Sequence, residues 1–228
     1  MRKILLLIIL CCFNCSNERV ILLPEVTRTK ITKVLDVSPA YVFYDETQPD
    51  SSHLNRKNLI STTNWLVNVD KRLSLRQAIP HITFMQDKKR NAQMHKNENA
   101  KNFYTCNNIS INNLGFIEFT DVFYKNENPD FIEFSKSNQE HYTLIKCYQD
   151  GSMKLIDLDG DVKIILAEIK DIKNYSDFYK LLESIESSHI ILFFEDTLSF
   201  QRYITIKSYL DQLPRDVLKI SKIEYLFQ

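Results

Sequence analysis

Glycine is the residue this chain almost does without: Gly115, Gly151 and Gly160 are its only three in 228 residues. Phosphate-cradling loops and the dinucleotide fingerprint need several glycines at fixed spacing, because the backbone itself must approach the ligand. The nucleophile elbow of serine hydrolases needs two around its serine. All three are excluded. Turns must be made from Asn, Asp, Ser and Pro, which are plentiful. The hydrophobic fraction of 44% and aromatic fraction of 11% are globular, with enough apolar material to bury a core. A formal net charge of +0 leaves no basic excess to neutralise phosphates, so nucleic acid is not an expected partner.

Periodicity places the elements. Tyr41-Val42-Phe43-Tyr44 is a β-prone run closed by the turn-rich Asp45-Glu46-Thr47-Gln48-Pro49-Asp50. Trp65 to Val69 is a second strand. Leu73, Leu75, Ala78, Ile79, Ile82 and Met85 recur at helical spacing, with Pro80 as a kink or late start. Residues 87 to 102 carry almost no apolar face and read as a solvated extension or an excursion. Leu114 to Tyr124 alternates as one strand. Tyr142 to Tyr148 and Met153 to Leu158 flank Gln149-Asp150-Gly151-Ser152, and Asp-Gly between alternating runs is a strong hairpin signal. Ser176 is a candidate N-cap for a helix with Phe178, Leu181, Leu182 and Ile185 on one face. Ile190 to Phe194 is a buried strand. A helix over Leu198 to Leu213 stops at Pro214, and Ile220 to Phe227 is the last strand. The fold class is α+β: a mixed sheet with helices on one face, the last part a β-β-α-β-α-β two-layer sandwich. The expected organisation is a signal at 1–14, an anchor and linker at 15–38, an α+β region at 39–128 and the sandwich at 129–228.

The amino end carries the address. Arg2 and Lys3 precede the apolar run Ile4 to Leu10, extended by Cys11, Cys12 and Phe13, and Asn14-Cys15-Ser16-Asn17-Glu18 turns polar. A charged start, a short apolar stretch and a polar exit form a secretory signal. The run falls short of the roughly 20 residues a spanning helix needs. The cysteine at the exit resembles the lipobox of bacterial lipoproteins, and Ser-Asn-Glu after it is similar to the start of lipoproteins from the Bacteroidota. Asn14 and Cys12 depart from the small and aliphatic residues the lipobox favours. The resemblance implies acylation of Cys15, an envelope location and a membrane contact through lipid, firm because several acyl chains share one residue. Loss of Arg2 and Lys3 then makes the net charge more negative by two.

The tail resembles a second family. Gln149-Asp150-Gly151-Ser152, the strand Ile190 to Asp196 with its acidic end, and the helix Tyr203 to Leu213 are similar to features of the periplasmic domain of the ExbD/TolR family. The likeness covers about residues 142 to 228. Family members carry a transmembrane helix with a proton-handling aspartate, whereas Met1 to Phe13 is short and has no acid. The resemblance therefore implies a binding or scaffolding role, with an envelope protein as partner, and not a motor.

Other chemistry is sparse. No Cys/His cluster has zinc spacing, so no metal and no cofactor is expected. Asp157, Asp159, Asp161 and Glu168 fall at calcium-loop positions 1, 3, 5 and 12, but Val162 stands where that loop needs glycine. Cys106 and Cys147 could bridge in an oxidising compartment; two separate buried thiols are the equal alternative. The loop holding Asp45, Asp50, His53 and Arg56 combines acids, imidazole and base, and loops carry function. It is the candidate site of a hydrolase, the competing class to a binding or assembly role. The aromatics crowding residues 41 to 134 could anchor partners, though alternate ones must build the core.

Overall fold

A computed structural model describes residues 19–92, 97–126, 141–159, 162–169, 175–183, 189–213 and 219–228. The signal at 1–14, Cys15 and the expected boundary at 128/129 lie outside them. The described elements are β1 (Glu25–Val26), β2 (Val37–Tyr44), β3 (Ser52–Asn55), β4 (Asn64–Val69), α1 (Leu75–Arg90), β5 (Asn102–Asn108), β6 (Asn113–Glu118), β7 (Phe123–Lys125), β8 (His141–Cys147), β9 (Met153–Asp159), β10 (Val162–Ile169), α2 (Tyr175–Glu183), β11 (His189–Glu195), α3 (Phe200–Gln212) and β12 (Lys219–Phe227). The fold is α+β.

Two six-stranded sheets result. In the first, the order is β3-β2-β4-β5, with β6 on the far side of β5 and β1 beside the end of β5. β2, β4 and β5 are parallel, and β2–β3 and β5–β6 are antiparallel. Pro39 falls inside β2. β3 pairs only with Tyr41–Tyr44, so one side of β2 is open at Pro39, where a strand tolerates proline. The second sheet runs β10-β9-β8-β11-β12-β7. Its first three strands form an antiparallel meander, and β8, β11, β12 and β7 are parallel. The β-β-α-β-α-β order is kept, with β10 added before α2.

The same unit occurs twice. Hairpin, parallel strand, helix and parallel strand are β2–β3, β4, α1, β5 in one half and β8–β9, β11, α3, β12 in the other. The two helix starts meet back to back. Leu75 N–H donates to Leu198 O (2.9 Å) and Phe200 N–H to Leu73 O (2.7 Å); Arg76 N–H donates to Asp196 O (2.7 Å) and Gln201 N–H to Lys71 O (3.2 Å). These pairs interchange when each residue is moved 125 positions along the chain, the mark of a pseudo-twofold axis. Amide groups that a helix start leaves without partners are thereby satisfied by the opposite half. One apolar core crosses the junction, taking Val67, Leu75, Ile82 and Tyr104 from the first half and Leu192, Phe194, Phe200 and Tyr203 from the second. Phe178 and Leu182 of α2 join the same core, so α2 and α3 cover one face of the second sheet. Its other face carries a separate cluster around Tyr142, Leu144, Phe193 and Tyr225.

The single strand expected over Leu114–Tyr124 is two strands in different sheets. Phe119 N–H turns back to Asn102 O (2.9 Å) and Val122 N–H closes on Phe119 O (3.1 Å), which ends β6 and sends β7 to the edge beside β12. Ser176 is not an N-cap but the second residue of α2. The stretch from 87 is not all solvated: α1 continues to Arg90, and Lys89 is buried.

Candidate functional site

The expected loop site is not a convergence of its four residues. Asp45 Oδ1 accepts from Thr47 N–H (3.1 Å) and Thr47 hydroxyl (2.6 Å), and Arg19 faces its other oxygen at 3.1 Å. Those Thr47 bonds are the main reason its carboxyl sits below the usual range. Asp50 belongs to the next turn, where Ser52 N–H (3.1 Å) and Ser52 hydroxyl (2.8 Å) donate to it and lower its pKa. His53 packs opposite Phe43 across the β2–β3 pair. Arg56 lies over the Phe84 ring at 5.1 Å.

The structure instead brings Ser52 to His81, which is on α1. His81 Nε2 is 2.8 Å from Ser52 Oγ, and burial lowers the imidazole pKa. The hydroxyl proton is directed at Asp50, so the serine oxygen accepts from His81. A nucleophilic serine needs the reverse, with its proton passing to the imidazole. The buried Ser52 therefore works here as a staple between the loop and α1. Gln77 adds to it, donating to Asp50 O at 2.7 Å.

A stronger candidate is a groove between the halves, about 490 Å³ in volume, formed by the β6–β7 turn, the end of α3 and the start of β12. That volume is in the ordinary range for ligand sites. Phe119, Val122, Leu210, Leu213 and Ile220 supply apolar lining, and Lys101, Lys207 and Lys222 stand among the lining residues. Each lysine is ion-paired: Lys101 with Glu118 (2.9 Å), Lys222 with Asp121 (2.8 Å) and Lys207 with Glu224. The groove thus offers apolar surface edged by both signs of charge.

Behind Lys207 lies a buried polar chain. The Glu224 side chain is 1% exposed. It accepts from Lys207 Nζ and from Tyr203 hydroxyl (2.8 Å). Tyr203 is 3.0 Å from the Tyr124 hydroxyl, which is 2.5 Å from that of Tyr104. A carboxylate can only accept, so protons run in one direction: Tyr104 to Tyr124 to Tyr203 to Glu224. Burial is the largest cause raising all three phenol pKa values, and the Glu224 charge adds to it. The chain crosses the junction, two tyrosines coming from β5 and β7 and the rest from α3 and β12.

Sequence reading missed this chain. Its one visible signal is Glu224, an acid within the apolar alternation of β12, with Lys207 four residues after Tyr203 on α3. It also missed the repeat, although Leu73-Ser74-Leu75 and Leu198-Ser199-Phe200 mark the two junction turns, each followed four residues after its serine by Ala78-Ile79 or Tyr203-Ile204. Cys106 and Cys147 are not bridged. Both are buried free thiols, on β5 and β8 of different sheets. Burial pushes the Cys106 thiol up to about 12, and raises Cys147 likewise. Asp157 is held on β9 by Thr143 hydroxyl (3.0 Å) and His141 Nε2 (2.6 Å).

No family model matches the chain, and no curated protein matches it. Among solved structures it is similar to a protein of Bacteroides thetaiotaomicron described as having an actin-like ATPase fold and unknown function. The match spans 85% of this chain and 90% of that one, at 10% identity and a TM-score of 0.26, a value too low to carry an argument about this chain.

Proposed function

We propose that this chain is a lipid-anchored cell-envelope protein with a binding or assembly role, which holds a protein partner in the groove between its halves. The observation that carries the reading is the groove itself: apolar lining, ion-paired lysines at its edges and a buried Glu224–Lys207 pair stiffening one wall. Such a surface suits a polypeptide segment with apolar side chains flanked by charges of both signs. The amino end supports envelope location, through the signal-like Arg2 to Phe13 and the lipobox-like placement of Cys15. The ExbD/TolR resemblance of residues 142 to 228 supports a scaffolding role for that part of the chain. Among the described residues no helix is long and apolar enough to cross a membrane, so the reading puts membrane attachment on the lipid.

A photo-crosslinking residue at Lys222 or Lys101, expressed in the native host, tests it. A discrete protein adduct from both positions, absent from Asn99, is expected; no adduct at either groove position overturns the reading. The competing hydrolase class would need Ser52 to pass its proton to His81, the reverse of the bonding seen here. Labelling of Ser52 by a fluorophosphonate probe, lost in Ser52→Ala, would move the assignment there.

A further inference from the structure

The β5–β6 hairpin ends in a tip that is apolar and uncharged. From Asn102 to Ile117 no residue carries a formal charge, in a chain where 25% of residues do. Ile109 is 53% exposed, Ile111 49% and Leu114 41%. A lone exposed aliphatic is ordinary; three at one turn mark a surface that meets something. The turn is built to hold them outside. Asn108, itself buried, accepts from Ser110 N–H (3.2 Å) and Ser110 hydroxyl (2.8 Å) and donates to Thr29 Oγ1 (3.1 Å). Asn112 takes a left-handed φ of 48°, which asparagine tolerates better than most residues.

Strand register gives the direction of the tip. Val42 is level with Val69, and Val67 with Tyr104. Because these strands are parallel, Asp45, just past β2, and Ile109, just past β5, lie at the same end of the sheet. Two strand spacings, about 10 Å, separate β2 from β5. Arg19 is held to Asp45 at 3.1 Å. Cys15 is four residues upstream, and four residues span at most about 14 Å. A lipid on Cys15 would therefore start within that reach of Arg19, which is held at the end of the sheet that carries the tip.

From this we infer that the hairpin tip seats in the interfacial layer of the bilayer holding the anchor, so that the carboxyl ends of β2, β4 and β5 face the lipid. The inference rests on acylation of Cys15. The occupant is lipid because the tip offers aliphatic side chains with no charged residue among them, and the tether leaves little room between this end and the membrane. The acids at this end are paired with bases, Asp45 with Arg19, Glu25 with Lys71 and Asp70 with Arg72, so no excess of either sign faces the membrane and the contact suits zwitterionic lipid.

The test uses the acylated full chain carrying Ile111→Cys, labelled with an environment-sensitive fluorophore, in phosphatidylethanolamine/phosphatidylcholine vesicles containing spin-labelled quencher lipid. Asn99→Cys, at the opposite end of β5, is the control; the native Cys106 and Cys147 are buried. Quenching several-fold stronger at 111 than at 99 is expected, with no increase when phosphatidylglycerol replaces a third of the lipid. Equal quenching at both sites overturns the tip contact while leaving the anchor standing. A mass spectrum of the same sample that shows Cys15 without acyl chains overturns the anchor, and the inference falls with it. Shielding of position 111 by envelope protein but not by lipid also overturns it, in favour of a protein-docking tip.

Discussion

Glu224 is the carboxylate on which the junction between the halves depends. Its two partners are Lys207 and Tyr203, and through Tyr203 it orders Tyr124 and Tyr104. Removing one partner of a buried pair leaves the other charge without compensation, at a cost of about 3–5 kcal/mol. Glu224→Ala should therefore lose about that much stability in urea unfolding, while Tyr203→Phe, which deletes the bond to the Glu224 charge and the one accepted from Tyr124, should lose about 2–4 kcal/mol. Lys89 is a second residue with a measurable signature. It lies over Trp65 at 4.6 Å and donates to Asn102 Oδ1 (2.8 Å) and two carbonyls, and burial lowers its pKa to about 8. Between that value and the ordinary 10.5 the unfolded chain binds the extra proton, so stability rises with pH across this window. Relative to Lys89→Met, the wild type should gain stability from pH 8 to pH 10.5 and show no such change from pH 6 to pH 7.

At the scale of elements, β6 owes its position to a missing side chain. A Cβ on Gly115 would sit 2.5 Å from Thr29 Oγ1 and 2.8 Å from its methyl carbon. Thr29 is buried, and its hydroxyl also meets Asn108 and Ile31 O, so it has little freedom to withdraw. Gly115→Ala should cost about 1–3 kcal/mol, the usual range for overpacking, read as a lower midpoint in denaturant at unchanged slope. Most elements were legible before the structure, because β2 and β4 are β-prone runs, β8, β9 and β12 flank turns or alternate, β11 is an unbroken apolar run, and α1 and α3 carry apolar residues at helical spacing. The break between β6 and β7 was not. Phe116, Phe119, Val122 and Phe123 continue an apolar pattern through the turn, and only pairing with Asn102 and β12 separates the strands. The groove and the tyrosine chain were hidden for a related reason. Tyr124 and Tyr203 are 79 residues apart in sequence, and no local pattern announces a contact that the fold alone makes.

For the whole molecule, the shared core decides how it comes apart. A single apolar cluster contains residues from both sheets and from all three described helices, and the starts of α1 and α3 exchange backbone hydrogen bonds across the axis. Neither half can leave without exposing the other's buried face. Trp65 is the one tryptophan and reports only the first half. Its fluorescence should therefore lose its folded signal at the same denaturant concentration as the far-UV circular dichroism of the whole chain. Two separated midpoints would show independent domains.

Residues 19 to 26 carry a mechanical consequence. They run across the ends of the first sheet, fastened by Arg19 to Asp45, by Leu22 N–H to Asp70 (3.1 Å), and by Glu25 to both Lys71 and Gln201. Tension arriving from upstream meets these fastenings in series, each yielding before the next is loaded, and Glu25 shares the load between the halves because Lys71 belongs to one and Gln201 to the other. Were the chain anchored through Cys15, as proposed, a body tugged by every fluctuation of the membrane would shed force at this sacrificial lashing, and the core behind it would feel a pull only after the last stitch had gone.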